Sequence, residues 1–178
     1  YDRPVNAGAA FIITTAERAR DMRHKPVYVL NHNQGSGGSA RSSQEVLEDT
    51  EEAKAKVARM VYEGSGLRPQ DVDIFNPYDG YSTFMPTTLE AFEWQGVKKG
   101  DAADFFKGDL SVEGPHPFSS GGGNLGSGRT RTAMYIDSIE QLRGTAGKRQ
   151  VTVKAETAIC AFAPGNSAAY LCLSNNTP

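Results

Sequence analysis

The most informative segment of the chain reads Gln141-Leu142-Arg143-Gly144-Thr145-Ala146-Gly147-Lys148-Arg149-Gln150-Val151. Before it, residues 130–143 place their apolar side chains on one helical stripe, which predicts a helix. After it, residues 150–160 place alternate side chains on one face, which predicts a strand. The segment is therefore the link between a helix and a strand near the end of the chain.

Outward from this link, strands and helices alternate. Further strands are predicted at residues 9–15, 26–31, 72–75 and 167–173, and helices at residues 16–22, 51–63, within 82–95 and at 102–107. Residues 33–43 and 111–128 are rich in glycine and serine and are predicted to be loops. The turn sequence Pro164-Gly165-Asn166 predicts that the last two strands pair antiparallel. This order predicts an α/β domain with helices on the faces of its sheet.

The composition excludes several classes of function. The 178 residues carry 19 basic and 21 acidic side chains, so the formal charge of −2 gives no basic surface for nucleic acid. The longest apolar runs are too short to cross a bilayer. The two cysteines and three histidines have neither disulfide-framework nor metal-ligand spacing. We therefore expect a cytoplasmic protein that uses no metal and binds neither nucleic acid nor a membrane.

A glycine-rich cluster lies at residues 121–128, within the loop predicted at residues 111–128. Gly121, Gly123 and Gly126 fit the dinucleotide-binding spacing, and residues 123–130 nearly fit a phosphate-binding loop. Both motifs need a buried strand directly before the glycines, and the prolines within residues 113–120 argue against one. Two interpretations remain. Either the glycines only permit tight turns, or the loop closes over a substrate beside the N-terminus of the next helix.

Tyr78-Asp79-Gly80-Tyr81 directly follows the strand predicted at residues 72–75. Loops at the carboxyl ends of strands carry the chemistry of α/β sheets, so this loop is a candidate site. The alternative is that the tyrosines pack and Asp79 caps a turn. Cys160 lies at the end of a predicted strand without a histidine nearby in sequence, which is typical of an inert core cysteine.

Taken together, these segments resemble the C-terminal half of a thiolase subunit, in the sterol-carrier and lipid-transfer-protein branch of the thiolase superfamily. Residues 8–19 resemble the end of the first half, and residues 66–73 resemble a link in the second half. Tyr78-Asp79-Gly80-Tyr81 falls at the active-site loop written Asn-x-Ala-Phe or His-Asp-Cys-Phe. Residues 120–130 fall at the Gly-rich loop and the Gly-His-Pro motif. The segment quoted first is very similar to the sterol-carrier branch, and Cys160 falls near the Cys-x-Gly motif.

The resemblance implies a thiolase-like half, with a five-stranded mixed sheet and helices on both faces. It implies that residues 1–24 are the last strand and helix of the N-terminal half, and that residues 25–178 are the C-terminal domain. The half that normally carries the nucleophilic cysteine is absent from this sequence. Because the chain begins at Tyr1, without a segment resembling a signal peptide, we expect a piece of something longer or a processed product.

Three departures from the family pattern bear on activity. Arg129 stands where the family has its basic histidine, and Tyr78 stands where it has asparagine or histidine. Ala161-Phe162 follows Cys160, so the Cys-x-Gly motif is broken. Because an arginine stays protonated, it cannot serve as the base that activates a nucleophile. Thiolase activity is therefore not expected.

This pattern of losses resembles the acyl-CoA aldolases of bacterial steroid side-chain breakdown. The resemblance implies a lyase that cleaves a β-hydroxyacyl-CoA by a retro-aldol reaction, with no cofactor beyond the CoA of the substrate. It implies two partners: the N-terminal thiolase half or a dimer mate, and an OB-fold, zinc-ribbon protein. The candidate catalytic residues are Tyr78, Arg129, Tyr81 and Asp79, and the candidate substrate-binding residues are Gly121, Gly122, Gly123 and Cys160.

Two features of this hypothesis depend on the residues themselves. A retro-aldol step needs a base near the β-hydroxyl and hydrogen-bond donors on the thioester oxygen. Tyr78 would be the base or proton donor, with Arg129 as the cation that lowers its pKa. The alternative function is a non-catalytic thiolase-like subunit that binds acyl-CoA or lipid, or that scaffolds a catalytic subunit. A pure binder has no need of a phenol at position 78.

Overall fold

The structure is a computed structural model that describes residues 1–36, 46–162 and 167–177. The strands are β1 (Tyr28–Ser36), β2 (Ile74–Asn76), β3 (Thr157–Phe162) and β4 (Ser167–Ser174). The helices are α1 (Ala16–Arg20), α2 (Leu47–Ser65), α3 (Phe84–Ala91), α4 (Ala102–Phe105), α5 (Gly123–Ser127) and α6 (Ala133–Arg143).

The four strands form one mixed sheet in the order β1-β4-β3-β2. β4 pairs antiparallel with both β1 and β3, while β2 runs parallel to β3. The predicted antiparallel pairing of the last two strands is confirmed, and the turn sequence predicted between them lies outside the described residues. Because β2 is parallel to β3, its carboxyl end meets the carboxyl end of β3 at one edge of the sheet.

Helices cover both faces of this sheet, as predicted. On one face, α2 and the aromatic residues after α3 pack against Ile159 and Cys172. On the other face, α6 and the segment after it pack against Ala158, Cys160 and Leu173. Neighbouring residues of β3 therefore belong to opposite cores, as the two-residue period of a strand requires. Phe75, Phe92 and Trp94 are fully buried in the first core.

The diagnostic helix-to-strand link is held by one side chain. Gly144 adopts the left-handed conformation that ends α6, at φ 72°. Gln141 then reaches over the turn: its Nε2 donates to the Arg149 carbonyl at 2.6 Å, and its Oε1 accepts from the Val151 N–H at 3.0 Å. These bonds direct the chain from α6 towards the sheet, which explains why this segment identifies the architecture.

In the residues that the structure describes, the sheet has four strands, so the predicted five-stranded sheet is wrong. Residues 9–15 form no strand in the described chain, and they lie at the surface, where Ile12 and Ile13 are 87% and 88% exposed. An apolar β-rich segment becomes a strand only where a neighbouring strand supplies the ladder hydrogen bonds. None of the four described strands pairs with it.

Three further predictions need correction. The strand predicted at residues 150–160 begins only at Thr157, because Thr152 donates its N–H to the Val112 carbonyl, 3.0 Å away, instead of joining a ladder. The loop predicted at residues 111–128 contains α5. Residues 33–36, predicted to begin a loop, extend β1, and the rest of that predicted loop lies mostly outside the described residues. The helices within 82–95, at 102–107 and at 130–143 are confirmed with shorter bounds.

Helix lengths and hydropathy also bear on membranes. In the described ranges, no helix combines the length and the apolar character that crossing a bilayer requires.

Candidate active site

The loop after β2 places Tyr78 at the edge of the second core. Tyr78 is 5% exposed and its ring lies 6.1 Å from that of Phe84. Its hydroxyl lies against Gly80, where an added Cβ would be 2.2 Å from the phenol oxygen. Only glycine fits at position 80 without moving that hydroxyl. The sequence Tyr-Asp-Gly-Tyr therefore fixes where the phenol points.

Asp79 joins this loop to the glycine-rich cluster. Its Oδ1 accepts from the Asn124 N–H at 2.7 Å and its Oδ2 accepts from the Leu125 N–H at 3.0 Å. These donors are the unpaired N–H groups in the first turn of α5, so the carboxylate caps that helix. Gly123 makes the contact possible, because a Cβ there would lie 2.0 Å from Asp79 Oδ2. The structure thus brings Asp79 and Gly123 together, in a contact that anchors the glycine loop.

A buried polar network holds the other end of the glycine loop. The Ser120 hydroxyl donates to Asp137 Oδ2 at 2.5 Å, and Asn76 Nδ2 donates to the same oxygen at 3.0 Å. Arg149 forms an ion pair with the other oxygen of Asp137. Gly121 packs on this carboxylate, since a Cβ would lie 2.9 Å from it. The glycine loop is therefore fixed between two carboxylates, Asp79 at its end and Asp137 at its start.

Arg129 lies beside the tyrosine loop, as its motif position predicted, and it is paired. Its Nε donates to Asp2 Oδ1 at 2.8 Å, and its Nη2 lies 2.7 Å from the same oxygen. The guanidinium side chain is 30% exposed, whereas the Asp2 side chain is fully buried. Asp2 raises the pKa of Arg129, which therefore stays a cation. Arg129, which by resemblance stands where the family has its basic histidine, therefore carries a permanent positive charge.

The pKa of Tyr78 is raised above its ordinary value, although Arg129 acts on it in the predicted, lowering direction. Burial is the largest cause, because it disfavours the charged phenolate. The negative charges of Asp2 and Asp79 act in the same direction. Arg129 and Arg131 oppose the shift but do not overcome it. Tyr78 is consequently a neutral phenol that keeps its proton near neutral pH.

Tyr81 lies at the open side of the same loop. It is 48% exposed, and its ring contacts Phe84 edge-on at 5.2 Å and Tyr1 at 6.2 Å. Since Phe84 also contacts Tyr78, the four rings make a continuous row from the exposed Tyr1 to the buried Tyr78. This row connects the exposed N-terminal residue to the buried phenol by ring packing.

Cys160 is brought into the same core as Tyr78 but has no exposed surface. Its thiol donates to the Leu171 carbonyl at 3.7 Å, and burial raises its pKa far above the ordinary value. A neutral, enclosed thiol is inert, which agrees with the alternative interpretation made from the sequence. The predicted substrate-binding role of Cys160 is limited to packing beneath the site.

Sequence reasoning missed the contacts of four polar residues of this region: the buried Asp2, Asn76 and Asp137 and the half-buried Ser120. Asn76 directly precedes the tyrosine-loop segment and Ser120 begins the quoted glycine-rich range, so their proximity to the site was a usable signal. Asp2 and Asp137 are far from those motifs in sequence, and only the fold brings them to it. Among the side chains that the structure describes, no three histidine, cysteine or acidic residues group as metal ligands.

Comparison with known proteins places the chain in a family. Residues 35–170 match the family model described as thiolase C-terminal domain-like. The 17-hydroxy-3-oxo-4-pregnene-20-carboxyl-CoA lyase of Mycobacterium tuberculosis is 31% identical over 164 residues, covering 86% of this chain and 42% of that protein. The acetyl-CoA acetyltransferase of Methanothermobacter thermautotrophicus is 30% identical over 154 residues, covering 83% of this chain and 39% of that protein.

A similar solved structure is that of an Ltp2-ChsH2(DUF35) aldolase. It superposes with a TM-score of 0.75 at 25% identity, covering 89% of this chain and 42% of that chain. The chain studied therefore spans less than half the length of the proteins it matches. Its similarity to both a lyase and an acetyltransferase agrees with a shared fold that carries different chemistries.

Proposed function

Because the chain belongs to the thiolase C-terminal domain-like family and carries a buried neutral phenol in place of the family's active-site residue, we propose that it is part of an acyl-CoA aldol lyase. The proposed reaction is retro-aldol cleavage of a β-hydroxyacyl-CoA. The observation that carries the proposal is the position of Tyr78: it is 5% exposed, its loop is tied through Asp79 to the glycine cluster, and a guanidinium paired with a buried carboxylate lies beside that loop. A neutral phenol there has a proton to give and is not a nucleophile near neutral pH.

The chemistry assigns a task to the phenol. In the cleavage, the β-hydroxyl releases its proton to solvent, the bond between the α and β carbons breaks, and the electrons of that bond form a thioester enolate. The α carbon then gains a proton from an acid that solvent reprotonates, so protons balance and no co-reactant is consumed. Tyr78 is proposed to supply that proton, and Arg129 to stabilise the negative charge that develops on the way. Asp79 and the glycines at 121, 122 and 123 hold the substrate-facing loop in place.

The same geometry argues against thiolase chemistry. A thiolase reaction needs a nucleophile and a base, and neither an arginine nor a raised-pKa phenol is a base near neutral pH. Arg129 occupies the histidine position, and Cys160 is a buried neutral thiol. Similarity to an acetyltransferase thus supports the fold, while the site residues favour the lyase.

The substrate class is proposed from the relatives. The name of the Mycobacterium tuberculosis protein places a hydroxyl and a CoA thioester on one pregnene-derived molecule. We extend that class to this chain: a steroid acyl-CoA with a β-hydroxyl, CoA being part of the substrate. The exposed rings of Tyr1 and Tyr81 offer such an apolar molecule a surface next to the tyrosine loop. The reaction is proposed to take place in the cytoplasm.

Partners are proposed on two grounds. The exposed apolar residues 11–13 support the proposal that an N-terminal thiolase-like half or a dimer mate completes the fold. So does the match to less than half of the length of each relative. Residues 1–24 would then be the end of that half. The similar aldolase is a complex of Ltp2 with ChsH2(DUF35), so a second subunit, expected to be an OB-fold, zinc-ribbon protein, is proposed here as well.

The decisive experiment is incubation of the assembled enzyme with a β-hydroxyacyl-CoA, with detection of the released ketone and shortened acyl-CoA. We expect both products in equal amounts. As a matched reaction, acetoacetyl-CoA with free CoA should give no acetyl-CoA. Tight binding of the β-hydroxyacyl-CoA without products would contradict the lyase function and support the alternative, a non-catalytic binding subunit. Thiolytic cleavage of acetoacetyl-CoA would show instead that the protein is a thiolase.

A further inference from the structure

The Asp2 carboxylate is buried beside Arg129, on a residue whose backbone bonds to the tyrosine loop. Its Oδ1 accepts from Arg129 Nε at 2.8 Å and lies 2.7 Å from Arg129 Nη2. Its other oxygen, Oδ2, is buried and has no hydrogen-bond partner among the residues the structure describes. Burying a charged oxygen is costly unless a partner compensates it, so the arrangement exists for a reason other than packing.

The backbone holds Asp2 in place against both neighbours. The Asp2 N–H donates to the Gly80 carbonyl at 3.0 Å, inside the tyrosine loop. One residue further on, the Arg3 carbonyl accepts from the Arg129 N–H at 2.7 Å. Gly128, at φ 91°, allows the close approach, because a Cβ there would lie 2.6 Å from Val5. The carboxylate is therefore fixed by main-chain bonds on each side and not only by its charge.

Four charged groups act on the Tyr78 phenol. Asp2 and Asp79 disfavour the phenolate, and Arg129 and Arg131 favour it. Asp79 is already engaged by two N–H donors of α5, which reduces its effect. Asp2 is thus the carboxylate that counterbalances the arginines. Without it, Arg129 would lose its partner, and the Tyr78 pKa would lose one of the contributions that raise it.

We propose that Asp2 is a positioning residue that fixes Arg129 against the Tyr78 loop and offsets the guanidinium charge at the phenol. The inference rests on the proposed lyase function and deepens it. It also assigns a task to a segment that the sequence predicted to end the other thiolase-like half. A site in the C-terminal domain would then depend on a carboxylate contributed from across the domain boundary.

The test is a spectroscopic titration of Tyr78 in the assembled enzyme, independent of activity. Tyrosinate absorbance is measured as a function of pH in the unmodified enzyme and in each variant. Each measurement is repeated with Tyr78→Phe added, and the difference between the two curves is the titration of Tyr78. In Asp2→Asn, the titration should move to lower pH. In Arg129→Gln, which leaves Asp2 intact but unpaired, it should move to higher pH. Opposite shifts from the two halves of one ion pair are the signature of this role.

The control is Asp73→Asn. Asp73 also uses a carboxylate to hold backbone N–H groups, those of Glu156 and Thr157, at the opposite end of β2. This change should lower stability and leave the Tyr78 titration in place. An unchanged titration in Asp2→Asn overturns the proposal. If Asp2→Asn does not fold, Arg129→Gln still decides, since a titration that fails to rise there overturns it too.

Activity separates this inference from the proposed function. With a β-hydroxyacyl-CoA, the alkaline loss of kcat should begin at lower pH in Asp2→Asn than in the unmodified enzyme, because the active phenol deprotonates earlier. If the unmodified enzyme cleaves no β-hydroxyacyl-CoA, the lyase function is wrong while the titration still decides the role of Asp2. If it cleaves the substrate and Asp2→Asn has an unshifted pH profile, the lyase stands and the role of Asp2 is wrong.

Discussion

At the scale of single residues, the site depends on where one hydroxyl points. Tyr78 is nearly enclosed and retains its proton, whereas Tyr81 is half exposed and packs on Phe84. The two tyrosines of one short loop therefore have different environments. This difference allows their roles to be separated by removing one oxygen at a time.

Tyr78→Phe keeps the ring packing and removes only the hydroxyl. Since general acid–base groups contribute roughly 10²–10⁴-fold, kcat for the β-hydroxyacyl-CoA should fall by about that factor, with little change in thermal stability. Tyr81→Phe is the matched control and should retain most activity. Full activity in Tyr78→Phe with none in Tyr81→Phe would reverse the assignment. If both remain active, the proton donor lies elsewhere.

Gly80 is predicted to be essential for a steric reason. Its φ lies outside the left-handed region, so an alanine suits the backbone, but the new Cβ would lie 2.2 Å from the Tyr78 oxygen. Gly80→Ala should therefore displace the hydroxyl and lower kcat, by about 10²-fold for a shift of roughly 1 Å. Gly8→Ala, where nothing lies within 4 Å, should leave kcat unchanged. Equal kcat for the two variants would show that the hydroxyl position is unimportant.

At the scale of elements, α2 supports the loop through a buried lysine. Lys54 Nζ donates to Thr87 Oγ1 at 2.6 Å and to the Phe84 carbonyl at 3.2 Å, at the start of α3. Its ammonium also lies 5.3 Å from the centre of the Phe84 ring. Phe84 in turn contacts both tyrosines of the loop. The contact between α2 and α3 thus fixes the floor of the candidate site.

Burial lowers the pKa of Lys54 from 10.5 to about 8, which makes stability depend on pH. Between these values the unfolded chain binds more protons than the folded chain, so raising the pH stabilises the fold. The free energy of unfolding should increase from pH 8 towards pH 10 relative to Lys54→Met, measured by denaturant titration. Lys56→Met, which removes an exposed lysine of the same helix, should keep that increase. The same pH profile in all three proteins would contradict the prediction.

The elements themselves were largely predictable, and their ends were not. Periodicity located α2, α6 and the last strand pair, because each has a well-defined apolar face. It failed at residues 150–156, which alternate like a strand but give their hydrogen bonds to Gln141, to the Val112 loop and to Asp73. It also failed at α5, a five-residue helix of glycine-rich sequence that forms because the distant Asp79 caps it. Such tertiary bonds leave no local pattern.

The site was predictable to the same degree. The tyrosine loop follows β2 and contacts the glycine cluster through Asp79, as the strand prediction and the motif order indicated, while the roles of their residues stay predictions. The direction of the Tyr78 pKa was missed, because it depends on burial and on Asp2, and neither is visible in the local sequence. Burial raises the Tyr78 pKa by more than Arg129 lowers it, since desolvation is the largest contribution.

At the scale of the whole molecule, the chain leaves apolar surface uncovered. Phe11, Ile12 and Ile13 lie in a β-rich segment that no described strand pairs with. Among the described strands, β1 and β2 each have a single partner. Exposed apolar segments with high strand propensity add to open edges of other chains. The molecule therefore carries both the segment and the edges needed for association.

We accordingly expect the 178-residue chain alone to self-associate as its concentration rises, as measured by sedimentation velocity. The double change Ile12→Ser and Ile13→Ser should shift the population towards monomer, because it removes the two most exposed large aliphatic side chains. Leu47→Ser removes a single exposed side chain at the start of α2 and should not. In the assembled enzyme, the double change should instead weaken assembly, since the complementary half would bury these residues. A chain that stays monomeric and unfolds in one two-state step at all concentrations would show that residues 9–15 are ordinary surface. In that case, pairing of residues 9–15 with another chain would not supply the fifth strand that the sequence predicted.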